Sequence, residues 1–353
     1  MRIATWNVNS IRTRHGRVVD WLVNADVDVL AMQEIKCTPA QFPLEPFEEA
    51  GYEVVLHGLN QWNGVAIASR LPMTDVEIGF RGQPGFAKGH DGPDAPLEAR
   101  AIGATIDDVR VWSLYVPNGR ALDDPHLDYK LRFLHALADD ARGWMAANPG
   151  APLALMGDFN VAPTDADMGD PSFVPGVSTH ISPAERAAFA ALEHAGLTDV
   201  VRPLVPTGFT FWDYKQLRFP RDEGMRIDFI LGSPGFADRV VDARIEREQR
   251  KGDAPSDHVP VLVELAGDAG VEAGLVICDG AGAITFRRPL AGFALPRFGA
   301  GCPLWPLFDA LRRPAEPVRA RVEMAGLVPR RFTAYAVAEA RGPVTFDAPP
   351  VIE

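Results

Sequence analysis

The chain is poor in cysteine. Its three, Cys37, Cys278 and Cys302, lie far apart and form no Cys-x-x-Cys pair. That argues against a disulfide-stapled scaffold and a thiolate zinc site, and the thiols read as small buried groups of a cytoplasmic protein. No apolar run approaches the ~18 residues that a membrane-spanning helix needs, so no membrane partner is expected. The opening Met-Arg-Ile-Ala-Thr-Trp-Asn holds no long apolar stretch of the secretory kind. There is no Gly-rich Walker loop and no Gly-x-Ser-x-Gly elbow, which argues against a P-loop nucleotide site and a hydrolase serine. Lysine is scarce, 5 against 30 arginines, and the formal net charge is −12. Such a chain does not attract nucleic acid as a whole; a phosphodiester partner would have to be met by a local basic surface or by metal ions.

What is present is an ordinary globular composition on a chain of 353 residues, too long for one core and right for a large domain with a smaller one. The break reads at Ala266–Gly270, Ala-Gly-Asp-Ala-Gly, dividing the chain into residues 1–266 and 267–353. Residues 268–353 carry ten Arg, no Lys and nine acidic residues, so the negative charge belongs to the first part.

Hydrophobic periodicity predicts strands at Arg2–Val8, Asp28–Met32, Tyr52–Leu56, Gly64–Ser69, Glu98–Ile106, Val109–Tyr115, Leu153–Asp158, Phe209–Trp212, Arg226–Leu231, Val240–Glu246 and Val259–Leu265. Helices are predicted at Arg14–Asn24, Asp123–Ala147 and Ser182–His194. The last opens on Ser182-Pro183-Ala184-Glu185, a capping box with Pro at the first helical position. A Pro-rich loop or short helix, spanning Gln41–Glu49, is expected up to Gly51, and Arg81–Pro96 reads as an exposed loop. Hairpins mix with crossovers, which favours an α/β sandwich over a strictly alternating doubly wound sheet.

Polar clusters follow the strand-like runs: Trp6-Asn7-Val8-Asn9, Met32-Gln33-Glu34, Gly157-Asp158-Phe159-Asn160 and Ser256-Asp257-His258. In the third, the apolar run is read as stopping at Gly157. Any one cluster is no more than a strand end with an Asx turn. Asp228, inside Ile227-Asp228-Phe229-Ile230-Leu231, is more telling, because a buried carboxylate needs a partner such as His258. Oxygen donors of this kind suit a hard cation such as Mg²⁺ together with substrate phosphate. The chemistry implied is metal-assisted attack of water on a phosphodiester, with a carboxylate orienting the water and an imidazole stabilising charge.

The ordered set Trp6-Asn7-Val8-Asn9, Gln33-Glu34-Ile35-Lys36, Tyr115-Val116-Pro117-Asn118, Gly157-Asp158-Phe159-Asn160, Arg226-Ile227-Asp228 and Ser256-Asp257-His258 resembles the exonuclease III / abasic-site endonuclease family. That family lies within the endonuclease–exonuclease–phosphatase superfamily, and the likeness covers residues 1–265. It implies a four-layer α/β sandwich of two packed mixed sheets flanked by helices. It implies Glu34 as the main Mg²⁺ ligand (Mn²⁺ a substitute), supported by Asn7 and Asp257. Asp158 would orient or deprotonate the water with Asn160 beside it. His258, held by Asp228, would bind the phosphate or act as base, and Tyr115 and Asn118 would contact the phosphate. Phe211, Met225 and Ile227, on their own an ordinary apolar set, would wall a pocket for a flipped, base-less sugar. The implied partner is double-stranded DNA with abasic sites or blocked 3′ ends, met by a monomer. The chain departs from some relatives in carrying Asn9 where they have Asp, and Met225 where a larger aromatic often sits.

The tail is similar to a C-terminal domain of helix-turn-helix regulators of short-chain fatty-acid metabolism, through Phe-Ala-Leu-Pro-Arg-Phe-Gly at residues 293–299 and Cys-Pro-Leu-Trp-Pro at residues 302–306. Strands are expected at Val276–Cys278, Ile284–Phe286 and Tyr335–Ala338, with a short helix after Leu307. The likeness implies a small α+β domain cut short at Glu353, with a small molecule as its ligand. Two rivals to the DNA-repair reading stand at this point. One is a superfamily phosphoesterase acting on a lipid or inositol phosphate; the other is an idle damage-binding or regulatory module.

Overall fold

The computed structural model describes residues 1–87 and 95–266, with the backbone of 274–278 and 284–289. It divides into two compact units, Met1–Leu265 and Ala266–Glu353.

The first unit is built on two six-stranded sheets. One runs in the order β11-β12-β1-β2-β4-β3, from Val240–Ile245, Val261–Leu265, Arg2–Asn7, Val29–Gln33, Val65–Ser69 and Glu53–His57. The other runs β5-β6-β7-β8-β10-β9, from Met73–Ile78, Ala101–Ile106, Val109–Tyr115, Leu153–Asp158, Asp228–Gly232 and Thr198–Asp199. Each sheet has one parallel pair, β1 with β2 and β7 with β8, and all other pairs are antiparallel. The parallel pairs are joined by crossover helices, α1 (Ile11–Asn24) and α3 (Pro125–Ala147).

Strand alternation decides the layers. Ile3, Val29, Ala31 and Ile67 face Ile102, Ala104, Val111, Ala154 and Met156 in the core between the sheets. The intervening residues of the first sheet, among them Ala4, Trp6, Leu30 and Met32, pack with Val18, Trp21 and Leu22 of α1 and Phe47 of α2 (Leu44–Glu49). Those of the second, among them Trp112, Leu114 and Leu155, pack with Phe133, Leu134 and Leu137 of α3 and Phe189 and Leu192 of α4 (Pro183–His194). The four layers are helix, sheet, sheet, helix. A polar bolt crosses the middle: Gln33 Nε2 donates to Thr5 Oγ1 and Ser113 Oγ, both at 3.0 Å, and Ser113 Oγ donates to the Met32 carbonyl at 2.9 Å. Each partner stays satisfied although all three side chains are buried.

Helix starts follow their caps. Asp124 accepts from the His126 amide at 2.8 Å and Pro125 opens α3. Ser182 and Glu185 form the capping box of α4.

The predicted elements have two clear exceptions, Phe209–Trp212 and Met73–Ile78. The strand expected at Leu153–Asp158 is β8, which runs through Gly157. Glycine is needed there because φ is +151° and a Cβ would lie 1.9 Å from the Leu114 carbonyl of β7. Phe209–Trp212 is not a strand; Phe211 makes only isolated bridges to Met225 and His258. Met73–Ile78, passed over in the sequence, is an edge strand whose mostly exposed residues give no apolar alternation. Of the loop or short helix expected before Gly51, the helix is formed: α2 covers Leu44–Glu49 and buries Phe47. Part of the expected loop Arg81–Pro96 lies outside the described residues.

In the second unit, β13 (Gly274–Cys278) and β14 (Ile284–Pro289) form an antiparallel hairpin with a bulge. The helix after Leu307 and the strand Tyr335–Ala338 lie outside the described residues. Among the described residues no helix is long and apolar enough to cross a membrane.

Candidate active site

The parallel pairs point their carboxyl ends at one edge of the sandwich, and the antiparallel β10 and β12 begin there. Asn7 ends β1, Glu34 follows β2, Tyr115 ends β7, Asp158 ends β8, Asp228 opens β10, and His258 precedes β12. The motifs, spread over some 250 residues of chain, therefore meet.

Glu34, Asp158 and His258 each bring one possible ligand atom within 4.8 Å of the others. Asn7 joins them, its Nδ2 donating to Glu34 Oε1 at 2.8 Å and to Asp158 Oδ2 at 2.9 Å. Asp158 and Asp228 are direct cross-strand partners in β8 and β10. His258 Nδ1 lies 2.8 Å from Asp228 Oδ2, and its Nε2 is 3.8 Å from Asp158 Oδ2. Thr210 Oγ1 receives the Ile227 and Asp228 amides, both at 3.1 Å, fixing the start of β10. Arg226 ties the same segment down through Asp167 at 2.7 Å and Asp199 at 2.5 Å.

Asp257 is not in that close group. Its Oδ1 accepts from Asn9 Nδ2 at 2.9 Å, and Asn9 Oδ1 in turn takes Lys36 Nζ at 2.6 Å. Lys36 also reaches Glu34 Oε2 at 2.7 Å. The Asn9 side-chain amide thus bridges the Asp257 carboxylate and the Lys36 ammonium, which in turn pairs with Glu34.

Asn160 is committed on every side. Its backbone amide donates to Asp158 Oδ1 at 2.9 Å, its Nδ2 to the Val116 carbonyl at 3.0 Å, and its Oδ1 meets Asn118 Nδ2 at 3.2 Å and His180 Nε2 at 3.0 Å. It holds Asp158 and Asn118 in place. Phe211 packs its ring 4.9 Å from the His258 ring. Met225 and Ile227 are buried in a small apolar cluster with Ala162 and Ile181, against which Phe211, Met168 and Phe173 pack.

The electrostatics separate the groups by role. Burial, reinforced by Asp228 and Glu34 over the opposing His258, pushes Asp158 up to about 7. Burial works against a charged His258, but Asp228 and Asp158 outweigh it and raise it to about 10. Glu34 is held low despite its burial, by Lys36 and the Asn7 amide. Burial and the neighbouring Glu34 keep the Tyr115 phenol well above its ordinary range, so it stays a neutral donor. Backbone strain gathers here as well, with positive φ at Asn9 (43°), Glu34 (51°), Asn160 (52°) and His180 (75°).

Sequence reasoning passed over His180, Thr179 and Lys130, and saw Glu185 only as a helix cap. Lys130 carried a signal of the same kind as Asp228: it sits on the face of α3 that buries Tyr129, Phe133 and Leu134. A lone ion on an apolar stripe needs a partner.

Two packed sheets with a carboxylate–imidazole cluster at the carboxyl ends of their parallel strands define a metal-dependent hydrolase of phosphate esters. Residues 4–258 match the endonuclease/exonuclease/phosphatase family, and this chain belongs to it. Residues 263–349 match the family described as short-chain fatty acyl coenzyme A regulator, C-terminal. The exodeoxyribonuclease III of Haemophilus influenzae is 30% identical over 278 residues, spanning 75% of this chain and 100% of that protein. A 3′-5′ exonuclease from Neisseria meningitidis is 40% identical with a TM-score of 0.68, covering 75% of this chain and 99% of that one. An AP endonuclease from Archaeoglobus fulgidus is 33% identical with a TM-score of 0.67, covering 75% and 99%.

Proposed function

We propose that the protein is a Mg²⁺-dependent DNA-repair phosphodiesterase of the cytoplasm. It trims 3′ ends as a 3′-5′ exodeoxyribonuclease and cuts 5′ to abasic sites, leaving a 3′-hydroxyl. The observation that carries the reading is the convergence of Glu34, Asp158 and the His258–Asp228 pair within one small cluster. The relatives named above, which act on DNA ends and abasic sites, support the substrate.

The close group fits a hard divalent cation: it offers carboxylate oxygens and no thiolate, and the Glu34 carboxylate is held ionised. Glu34 would hold it; Asn7, whose Nδ2 faces Glu34 and Asp158 while its Oδ1 takes the Asn9 amide, would steady those carboxylates and the ion's waters, with Asp257 supporting through Asn9. When bound, the ion stabilises the charge that develops on the scissile phosphate. Asp158 orients the attacking water and takes its proton, and a carboxylate that titrates at about 7 is suited to that exchange near neutral pH. His258, its charge held by Asp228, presents an imidazolium to the phosphate. The Tyr115 hydroxyl and the Asn118 amide, which also lies 3.3 Å from His180 Nε2, are donors for the non-bridging oxygens. Phe211, with Met225 and Ile227 behind it, forms the apolar wall that meets an extruded sugar. The tail is read as a small-molecule-binding module with no part in this chemistry.

The test uses a DNA duplex with one abasic-site analogue, labelled at one end. Incision with Mg²⁺, none with EDTA, and none by Asp158→Asn is the expected result. A folded protein that leaves DNA intact but turns over a phosphoinositide hands the site to the rival phosphoesterase. Silence on both substrates fits an idle module, a reading opposed by the presence of every carboxylate and the histidine.

A further inference from the structure

One layer behind the site lies an ion pair that this chemistry does not use. Lys130 on α3 and Glu185 on α4 are both fully buried and bonded to each other. Burial lowers Lys130 towards its neutral form, whereas Lys130, overcoming the burial of Glu185, holds that carboxyl down at about 2. The two shifts pull in opposite senses, and hydrogen bonding decides between them. Glu185 Oε1 also accepts from Thr179 Oγ1 at 2.6 Å and the His180 amide at 2.8 Å. Its Oε2 accepts from Ser182 Oγ at 2.6 Å and the Ser182 amide at 3.2 Å. A carboxylate so fully provided with donors stays ionised, and Lys130 stays an ammonium with three acceptors for its three protons.

Those acceptors are Glu185 and two main-chain carbonyls, Asn118 at 3.1 Å and Asn160 at 2.6 Å. The carbonyls belong to the loops that leave β7 and β8, the same loops that carry the Asn118 amide and the Asn160 clamp on Asp158. The β7–β8 ladder ends with the Val116 amide on the Asp158 carbonyl at 2.9 Å; beyond it the Asn160 side chain joins the loops from the front, through the Val116 carbonyl and the Asn118 amide, and Lys130 joins their main chains from behind. A pair of apolar side chains could fill the same space and often does so at no cost in stability. It could not tie two carbonyls and a carboxylate at one point.

We propose that Lys130, anchored by Glu185, is a positioning residue that sets the distance between the Asn118 and Asn160 loops, so that the Asn118 amide and the Asp158 carboxylate converge on one phosphate. In its effect on turnover this rests on the phosphodiesterase reading above.

The experiment compares Lys130→Met, and the volume-matched Lys130→Met/Glu185→Leu pair, with wild type. The second keeps the fold testable, because no buried charge is left alone. Thermal midpoints confirm folding. Misplacement of catalytic groups by ~1 Å costs on the order of 100-fold, so kcat should fall by about that factor with KM for DNA little changed. In an Asn118→Ala background the same Lys130→Met change should cost distinctly less than in wild type, because part of its effect runs through the Asn118 side-chain amide. Equal losses in both backgrounds, or wild-type turnover by the folded double variant, overturn the proposal.

A substrate-free readout separates this from the DNA reading. The side-chain amide resonances of Asn118 and Asn160 should shift in both Lys130 variants, while the Trp21 indole on the far helix layer does not. Asn resonances that stay in place reject the positioning role even if the wild type cleaves DNA. An inert wild type whose Asn resonances move leaves the positioning role standing and rejects the DNA reading.

Discussion

The two sides of the site are aimed by different means. On one side, Asn7, Glu34, Asp158 and Asp228 sit on or directly after strands, and the sheet ladders point them. On the other, Asn118, Asn160 and His180 sit on loops, and a buried ion pair holds them. A strand end inherits its direction from the pleat and costs nothing further to orient. A loop residue must be fixed by hydrogen bonds from outside its own backbone, here through helices α3 and α4. The first side carries the charges; the second sets the distances.

The largest blow to the strand-borne side should be Asp158→Asn. It removes the base and keeps the shape, so kcat in a single-turnover assay should fall on the order of 1000-fold with the thermal midpoint little changed. A loss under tenfold would move the base elsewhere. Next is Asp228→Asn, which strips His258 of its first partner. Cleavage should drop by roughly 100-fold, and the His258 ring, followed by NMR, should titrate far below the wild-type value of about 10. An unchanged titration would detach the pair from the site's electrostatics.

The loop-borne side should break more in stability than in charge. Glu185→Gln leaves Lys130 buried without its counter-ion and should cost about 3 kcal/mol in denaturant unfolding. Its pH signature has a definite sign. Glu185 is held below its ordinary value of 4.5, down at about 2. Its stabilisation is therefore fully present above pH 4.5 and is lost as pH falls towards and through 2. Acid unfolding of wild type and Glu185→Gln should converge across that window, and parallel curves would deny the pair its role. The smallest expected effect is that of deleting residues 267–353, which should leave DNA cleavage by the folded first unit unchanged.

Much of the strand-borne side was legible in the residues. Short apolar runs ending in Asn, Glu or Asp announce both a strand and a polar rim, and a carboxylate within Ile227–Leu231 demands a partner whatever the fold. The capping box at Ser182 set the start of α4. Met73–Ile78 was not legible, because an edge strand open to solvent needs no alternation. Phe209–Trp212 misled in the other direction: its aromatics have strand propensity, but they pack around Met225 and His258 instead of joining a ladder.

Local chemistry, then, marked by itself most core strands, the long helices and the charged rim, since periodicity, caps and the cost of a buried ion act over a few residues. The tertiary structure alone decided that Gly157 must be glycine, because the Leu114 carbonyl belongs to another strand. It decided equally that Glu185 is an anchor and more than a cap, because Lys130 lies 55 residues away along the chain and beside it in space. Hydrogen bonds between such distant residues exist only once the sheets have brought the loops together.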